Sequence, residues 1–246
     1  MQTVFSRPPS LKDYPTHYCP GCGHGIVHRL VAEAIDELGI HDRTIGIAPV
    51  GCAVLAYDYL DVDMIEVPHG RAPAVATGMK RVSPENIIFS YQGDGDLASI
   101  GAAEILHAAH RAEKITVIFV NNAVYGMTGG QMAPTTMPQQ VTATTPKGRS
   151  ETTEGFPLQM SEILSVLPGA IFVQRGSVHN PAHIRKTKKA IHKAFALQRD
   201  GAEGLAFVEV LSPCPTYWRK SPAEAMKWIE DEMVNVFPLG CLKGEK

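Results

Sequence analysis

Apolar residues fall at Ile26, Leu30, Ala34 and Leu38, a helical spacing that predicts a helix over 26–38 with Gly39 closing it. A β-branched run over 44–48 and a second run over 63–67 read as strands. Residues 71–82 predict a helix rich in small side chains, among them Ala72, Ala74, Ala76 and Gly78. An apolar strand over 87–91 then runs into Gly93, followed by a helix over 97–111 and a fully apolar strand over 115–120. After a long loop the pattern predicts a helix over 158–167, a strand over 170–173, a helix over 181–198, a strand over 205–210 and a helix over 222–236. The basic face of the 181–198 helix, with Lys186, Lys188, Lys189 and Lys193, reads as solvated.

Strands alternate with helices, and the strands are apolar on both faces. That argues for an α/β fold: a mostly parallel sheet flanked by helices. No repeat and no domain boundary stands out, so 1–246 reads as one domain. It begins with a polar, Pro-rich arm over 1–18, expected to lie on a neighbour or on the domain itself. The stretch 126–156 is rich in Thr, Gly and Pro and lacks periodicity. A loop of that length in a compact domain is either functional or mobile. Its start directly after a candidate metal motif favours function.

Composition narrows the classes. The chain has 246 residues, 44% hydrophobic and 20% charged, with a formal net charge of -2. That is ordinary globular composition with no basic stripe, which argues against a nucleic-acid partner. No apolar run is long enough to span a bilayer, and the N-terminus lacks the apolar stretch of a signal peptide. A cytoplasmic protein is expected, away from the membrane. Five cysteines in such a chain point to a metal or to catalysis before disulfides.

The candidate chemistry starts at Gly93-Asp94-Gly95-Asp96, between a strand and a helix. Glycines there let the backbone approach a phosphate, and the helix start offers free N–H groups. A carboxylate in the same turn makes sense if Mg²⁺ bridges it to the phosphate. Asn121-Asn122 ends the next strand, after 25 intervening residues. In an open α/β sheet such loops meet at the ligand crevice. Cys19 and Cys22 form C-P-G-C, while Cys52 and Cys214 each follow a strand in Gly/Pro-rich sequence. Four such thiols suit structural zinc or a [4Fe–4S] cluster, and composition leaves both open.

The GDG and NN pair resembles the motif of thiamine diphosphate enzymes. The resemblance implies a thiamine diphosphate-binding fold, with Asp94, Asn122 and the carbonyl of Val124 as Mg²⁺ ligands. The wider chain is similar to the β, or thiamine-binding, subunit of 2-oxoacid:ferredoxin oxidoreductases. The matching segments are CPGCGHG at 19–25, GC at 51–52, HGRAPAVATGMK at 69–80, GDGD at 93–96 and NNAVYGMTGGQMAPTT at 121–136, with Cys214 in the place of a fourth cysteine.

That likeness implies one [4Fe–4S] cluster on Cys19, Cys22, Cys52 and Cys214, with Cys241 a plain thiol. It implies cofactor contacts from His24, Gly51, Cys52 and His69, and from Gly93, Asp94, Gly95 and Asp96. Further contacts are implied at Asn122, Val124, Tyr125, Gly126, Met127 and Thr128. His69 and Cys52 are the implied catalytic residues, with Arg71 beside His69 lining the cofactor or a subunit contact. His24 stands where some relatives carry Glu. The implied reaction is CoA-dependent oxidative decarboxylation of a 2-oxoacid, with electrons passing through the cluster to ferredoxin. The Glu that holds the thiamine aminopyrimidine is implied to come from an α subunit, within a complex that also has γ and, as a further candidate, δ partners. Leu55, where some relatives place Lys, leans the substrate toward 2-oxoisovalerate, with 2-oxoglutarate and pyruvate retained. The competing reading is a non-oxidative thiamine lyase subunit with structural zinc.

Overall fold

The computed structural model describes residues 6–244. Its centre is a seven-stranded sheet in the order β2-β1-β3-β4-β6-β5-β7. The strands are β1 (Thr44–Pro49), β2 (Asp63–Val67), β3 (Ile87–Gly93), β4 (Thr116–Asn121), β5 (Ala170–Ser177), β6 (Leu205–Leu211) and β7 (Gly240–Lys243). All neighbours pair in parallel except β7, which runs antiparallel along β5. The mostly parallel α/β sheet expected from the apolar runs is therefore present.

Alternate strand residues feed two cores. Ile118 and Val120 of β4 join Val27, Leu30 and Val31 of α1 (His24–Leu38) and Ile191 and Phe195 of α6 (Pro181–Arg199). Val117 and Phe119 face the opposite core, with α3 (Ala72–Val82), α4 (Ala102–His110) and α5 (Met160–Ser165). Period-two alternation with both faces apolar is what a sheet covered on both sides requires. The exception is β2, an edge strand that leaves Asp63, Ile65 and Glu66 exposed. Short helices follow β1 at α2 (Ala56–Tyr59) and β6 at α7 (Pro215–Trp218), with α8 (Pro222–Trp228) and α9 (Val234–Val236) beyond.

Several expectations shift. The helix expected over 97–111 opens with a wide π turn at Asp96–Ile100 and becomes regular only after Gly101. Gly101 lies against Gly70: a Cβ on it would stand 2.8 Å from the Gly70 carbonyl oxygen. The 222–236 helix also carries a π turn, at Ile229–Met233. β7 was not expected, because four residues of mixed character give no periodicity.

The described part of the arm lies on the domain itself. Lys12 N–H donates to the Tyr59 carbonyl at 2.8 Å, and Ser10 N–H and hydroxyl both bond Asp36 of α1. The first five residues of the expected arm lie outside the described residues. On α6, Lys186 and Lys189 are exposed, but Lys188 bridges to Glu33 and Glu37 of α1 at 2.9 and 2.6 Å. Lys193 caps the Phe172 ring at 5.0 Å. That face is thus only partly solvated.

Candidate active site

β1 leads outward to β2, and the chain then returns to β3 on the other side of β1, so the strand order reverses between β1 and β3. Ligand crevices open at such points, outside the carboxyl ends of the strands. Here Val50-Gly51-Cys52 leaves β1, Gly93-Asp94-Gly95-Asp96 leaves β3 and Asn122 leaves β4. Gly93 and Val120 are register partners, so the two motifs emerge side by side. Together with His24, Ala53, His69 and the segment Val124–Thr128 they line a cleft of about 480 Å³.

Asp94 is 2% exposed. Its carboxylate accepts the Gly95 N–H at 2.8 Å and the Thr135 hydroxyl at 2.6 Å. Burial pushes the carboxyl up to about 7, against the opposing pull of those donors. A buried carboxylate whose hydrogen bonds do not offset its burial invites a cation. Asn122 is also buried, with its side-chain oxygen accepting the Val124 N–H at 3.3 Å and its carbonyl accepting the Trp218 indole at 2.9 Å. A Cβ on Gly93 would meet nothing within 4 Å, leaving open space for a close backbone approach. A Cβ on Gly95 would strike the Tyr125 ring at 2.3 Å. Hard oxygen donors beside open glycine backbone fit a Mg²⁺-bound diphosphate.

Asp96 has a different task. It accepts from the Gly70 N–H at 2.6 Å, the Gln92 amide at 2.5 Å and His69 Nδ1 at 2.5 Å. With these partners its carboxylate is occupied, and its effect is to fix the His69 ring. The Nδ1–H donates to Asp96, which leaves Nε2 as the free ring nitrogen. His24 is fully buried, shares a hydrogen bond with the Tyr91 hydroxyl at 2.8 Å and stacks on Tyr18. Burial holds its pKa down at about 3, so it forms a neutral wall. Arg71 is absent from the cleft lining and pairs with Glu104 of α4. Leu55 lies at the start of α2, also outside the cleft lining.

The four cysteines of the expected cluster line a second cavity of about 560 Å³, walled also by His17, Tyr18, Pro215 and Tyr217. Gly23 N–H donates to the Pro213 carbonyl at 3.3 Å, tying the CPGC loop to the Cys214 loop. Burial pushes the Cys22 thiol up to about 11, the Cys52 thiol up to about 12 and the Cys214 thiol higher still. Deprotonating them together requires bound cationic charge, the condition of a thiolate metal site. Among the described residues no three His, Cys, Asp or Glu side chains converge on one ion position. All four cysteines line this one cavity, so a group held by four thiolates fits the donor set. Cys241 lies on β7, away from this cavity.

The two cavities share Cys52, Asn122, Gly126 and Met127. The place of a Cβ on Gly126 lies 3.0 Å from Cys52 Sγ, 3.9 Å from Cys214 Sγ and 3.7 Å from Asn122 Nδ2. Residues 49–210 match the family model described as thiamine pyrophosphate enzyme, C-terminal TPP binding domain, thiamine pyrophosphate being the same compound as thiamine diphosphate. Over 239 residues the chain is 53% identical to ketoisovalerate oxidoreductase subunit VorA of Methanothermobacter marburgensis, covering 97% of this chain and 50% of that one. It is 35% identical to 2-oxoglutarate synthase subunit KorB of Methanocaldococcus jannaschii, covering 90% of this chain and 80% of that one.

The chain belongs to the thiamine pyrophosphate-binding subunits of the 2-oxoacid:ferredoxin oxidoreductases.

A solved relative of these subunits, the 2-oxoglutarate:ferredoxin oxidoreductase from Magnetococcus marinus with 2-oxoglutarate, coenzyme A and succinyl-CoA bound, superposes with a TM-score of 0.77 at 27% identity, over 99% of this chain and 86% of that chain. The chain spans about half the length of the VorA relatives it matches.

Four residues around this oxidoreductase-subunit site were given no role by the sequence: Thr135 and Thr136 lie inside the matching segment 121–136, and Arg149 and Glu209 lie outside every motif. Thr135 and Thr136 reach back from the 126–156 segment to Asp94 and to the Ala123 carbonyl, the latter at 2.7 Å. Arg149 anchors that segment, and Glu209 bonds Asn121 at 2.8 Å. The burial of Arg149, one of few charged residues in that Thr/Gly/Pro-rich stretch, shows only in the fold.

Proposed function

We propose that the chain is the thiamine diphosphate- and cluster-binding β subunit, as one domain over 1–246, of a cytoplasmic oxidoreductase. The complex converts a 2-oxoacid and CoA to acyl-CoA and CO₂ and reduces ferredoxin. The observation that carries this reading is the shared wall. A diphosphate-type cleft and a four-cysteine cavity meet at Cys52, Asn122, Gly126 and Met127, so an electron acceptor held by the cysteines would lie beside the cofactor.

When bound, thiamine diphosphate supplies the electron sink for decarboxylation, and the cluster accepts electrons one at a time. Asp94, Asn122 and the Val124 carbonyl hold Mg²⁺. Gly51, Gly93 and Gly95 give backbone access, while Tyr125, Gly126, Met127 and Thr128 close the far wall. Cys19, Cys22, Cys52 and Cys214 hold the [4Fe–4S] cluster. A structural zinc would draw four thiolates to within ~3.8 Å of one another, given Zn–S near 2.3 Å. What supports the cluster over such a zinc site is the likeness to the oxidoreductase subunits, together with four cysteines lining one cavity. His69, aimed by Asp96, moves a proton at Nε2 on the substrate side. The Glu that activates the cofactor, and the route onward to ferredoxin, come from α, γ or δ partners.

Among the described residues that line the cleft there is no lysine or arginine, whereas Val50, Ala53 and Met127 are apolar. A second substrate carboxylate would find no cation in this wall. This supports an apolar branched acid of the 2-oxoisovalerate type, in line with the VorA relatives, over 2-oxoglutarate. The test is an assay of the purified complex with 2-oxoisovalerate, 2-oxoglutarate and pyruvate, CoA and a viologen acceptor, together with iron and zinc analysis. CoA-dependent viologen reduction, fastest with 2-oxoisovalerate, and about four irons per cluster site are expected. Zinc without iron, or no reduction with any acid, would sink the reading. Preference for 2-oxoglutarate would overturn only the substrate.

A further inference from the structure

Two charged side chains are buried against the sheet, and a third, the half-exposed Glu162, reaches them from the surface. Glu209, in the middle of β6, is 1% exposed, and Arg175, its register partner on β5, is fully buried. Arg175 Nε donates to Glu209 at 2.7 Å, and its two Nη atoms fork onto Glu162 of α5 at 2.8 and 2.5 Å. A further N–H reaches the Pro238 carbonyl at 3.1 Å, and the guanidinium lies over the Phe237 ring. The second oxygen contact of Glu209 is the Ser161 hydroxyl. Burying such charges costs several kcal/mol per ion, and their attraction offsets this only when every lone pair is satisfied. A network of this kind is weak evidence for stability as its purpose. Its meaning lies in what it holds.

At its inner end it holds Asn121. The Asn121 amide donates to the remaining Glu209 oxygen at 2.8 Å, and the Asn121 side-chain oxygen accepts the Ala123 N–H at 3.1 Å. Ala123 has φ +58°, a left-handed conformation that costs a non-glycine residue roughly 1–2 kcal/mol. The Ala123 carbonyl is fixed from the other side by Thr136 and Gln140. The residues on either side of this strained position are Asn122 and Val124. The Asn121 amide has one workable orientation, since its NH₂ must face the acceptor Glu209 and its oxygen the donor Ala123.

We infer that Glu209 is a positioning residue for the metal turn: anchored by Arg175 and Ser161, it locks Asn121, which holds Ala123 left-handed and presents Asn122 and Val124 to the cleft. The inference rests on the proposed Mg²⁺–thiamine diphosphate site.

The donor–acceptor polarity gives a reciprocal test. Glu209 accepts from three donors and has no proton to offer. In Glu209→Gln the new NH₂ faces either Asn121 or the Arg175 and Ser161 donors. If Asn121 flips to accommodate it, its own NH₂ is driven against the Ala123 N–H. Adding Asn121→Asp restores complementarity with reversed polarity: the Gln NH₂ donates to the new carboxylate, which also accepts the Ala123 N–H.

The complex would be desalted against graded Mg²⁺ and its retained thiamine measured, alongside the unfolding temperature of the cofactor-stripped complex. For Glu209→Gln the Mg²⁺ midpoint should rise about 10- to 100-fold, the usual effect of removing an outer-shell partner. The double variant should return toward the wild-type midpoint, whereas Asn121→Asp alone, placing two carboxylates face to face, should not lower it. A purely structural role would lower the unfolding temperature and leave the Mg²⁺ midpoint unmoved. That result, or a double variant no better than Glu209→Gln, overturns the inference. If Glu209→Gln fails to assemble, recovery of assembly and midpoint by the double variant supports it, and recovery of neither overturns it. A wild-type complex that retains no thiamine at any Mg²⁺ concentration would instead reject the cofactor site itself.

Discussion

Asp94 carries the electrostatic burden of the cleft. Its carboxyl, raised to about 7 by burial, binds a proton near neutrality when no cation is present. Mg²⁺ bound at the proposed site would have to displace that proton, which links metal affinity to pH. Below about pH 7 each unit of acidification should weaken apparent Mg²⁺ binding roughly tenfold, and above it the dependence should flatten. The check is the Mg²⁺ midpoint of thiamine retention at three pH values spanning 7, corrected for the pH dependence of Mg²⁺ on free thiamine diphosphate. The sign for folding is opposite. A carboxyl raised from 3.8 to about 7 makes the folded state the better proton binder, so this group's contribution to the cation-free chain is lost as pH rises through that window. At this scale the sequence was most legible where chemistry clusters in short motifs, as in GDGD, NN and CPGC. Glu209 and Arg175 were illegible because their partners lie 13 to 88 positions away, and only the fold brings them together.

Among the elements, the sheet was readable because strands such as β4 and β6 are buried along their whole length and cannot hide their apolar character. The π turn at Asp96–Ile100 was not, since it follows from the grip of Asp96 on Gly70 and His69, a contact 26 and 27 residues distant. The 126–156 segment was the hardest to read. It contains no helix or strand beyond a bridge between Tyr125 and Gln131, and its order depends on one buried cation. Arg149 Nε donates to the Gly155 carbonyl at 2.8 Å, Nη1 to those of Pro134 and Thr136 at 2.8 and 2.6 Å, and Nη2 to that of Phe156 at 2.7 Å. A lysine cannot reproduce that fork, and a methionine leaves the carbonyls unmet. Arg149→Met should lower stability by about 2–4 kcal/mol, a buried hub being lost. Amide exchange should rise across 133–156, and thiamine retention should fall because Thr135 no longer braces Asp94. Unchanged exchange in that segment would contradict this role.

Over the whole molecule, the question is whether the two cavities act as one site. They touch at Gly126, which can be probed with a single methyl group. A Cβ there would stand 3.0 Å from Cys52 Sγ and close to both Cys214 Sγ and Asn122 Nδ2. Contact at 3.0 Å forces a shift of a few tenths of an ångström in Cys52, a proposed cluster ligand. In a tightly packed wall that displacement is felt on both sides. Gly126→Ala should therefore lower iron content and thiamine retention together, although it changes no donor. Gly78 provides the control. It lies inside α3, is exposed, and a Cβ there would meet nothing within 4 Å. Gly78→Ala should add about 0.5–1 kcal/mol through helix propensity alone and leave both cofactors in place. If Gly126→Ala reduced iron while thiamine binding stayed at the wild-type level, the shared wall would be a geometric boundary without coupling. Loss of both from one buried methyl, with the helix methyl harmless, would tie the decarboxylating cofactor and its electron acceptor to a single packed surface.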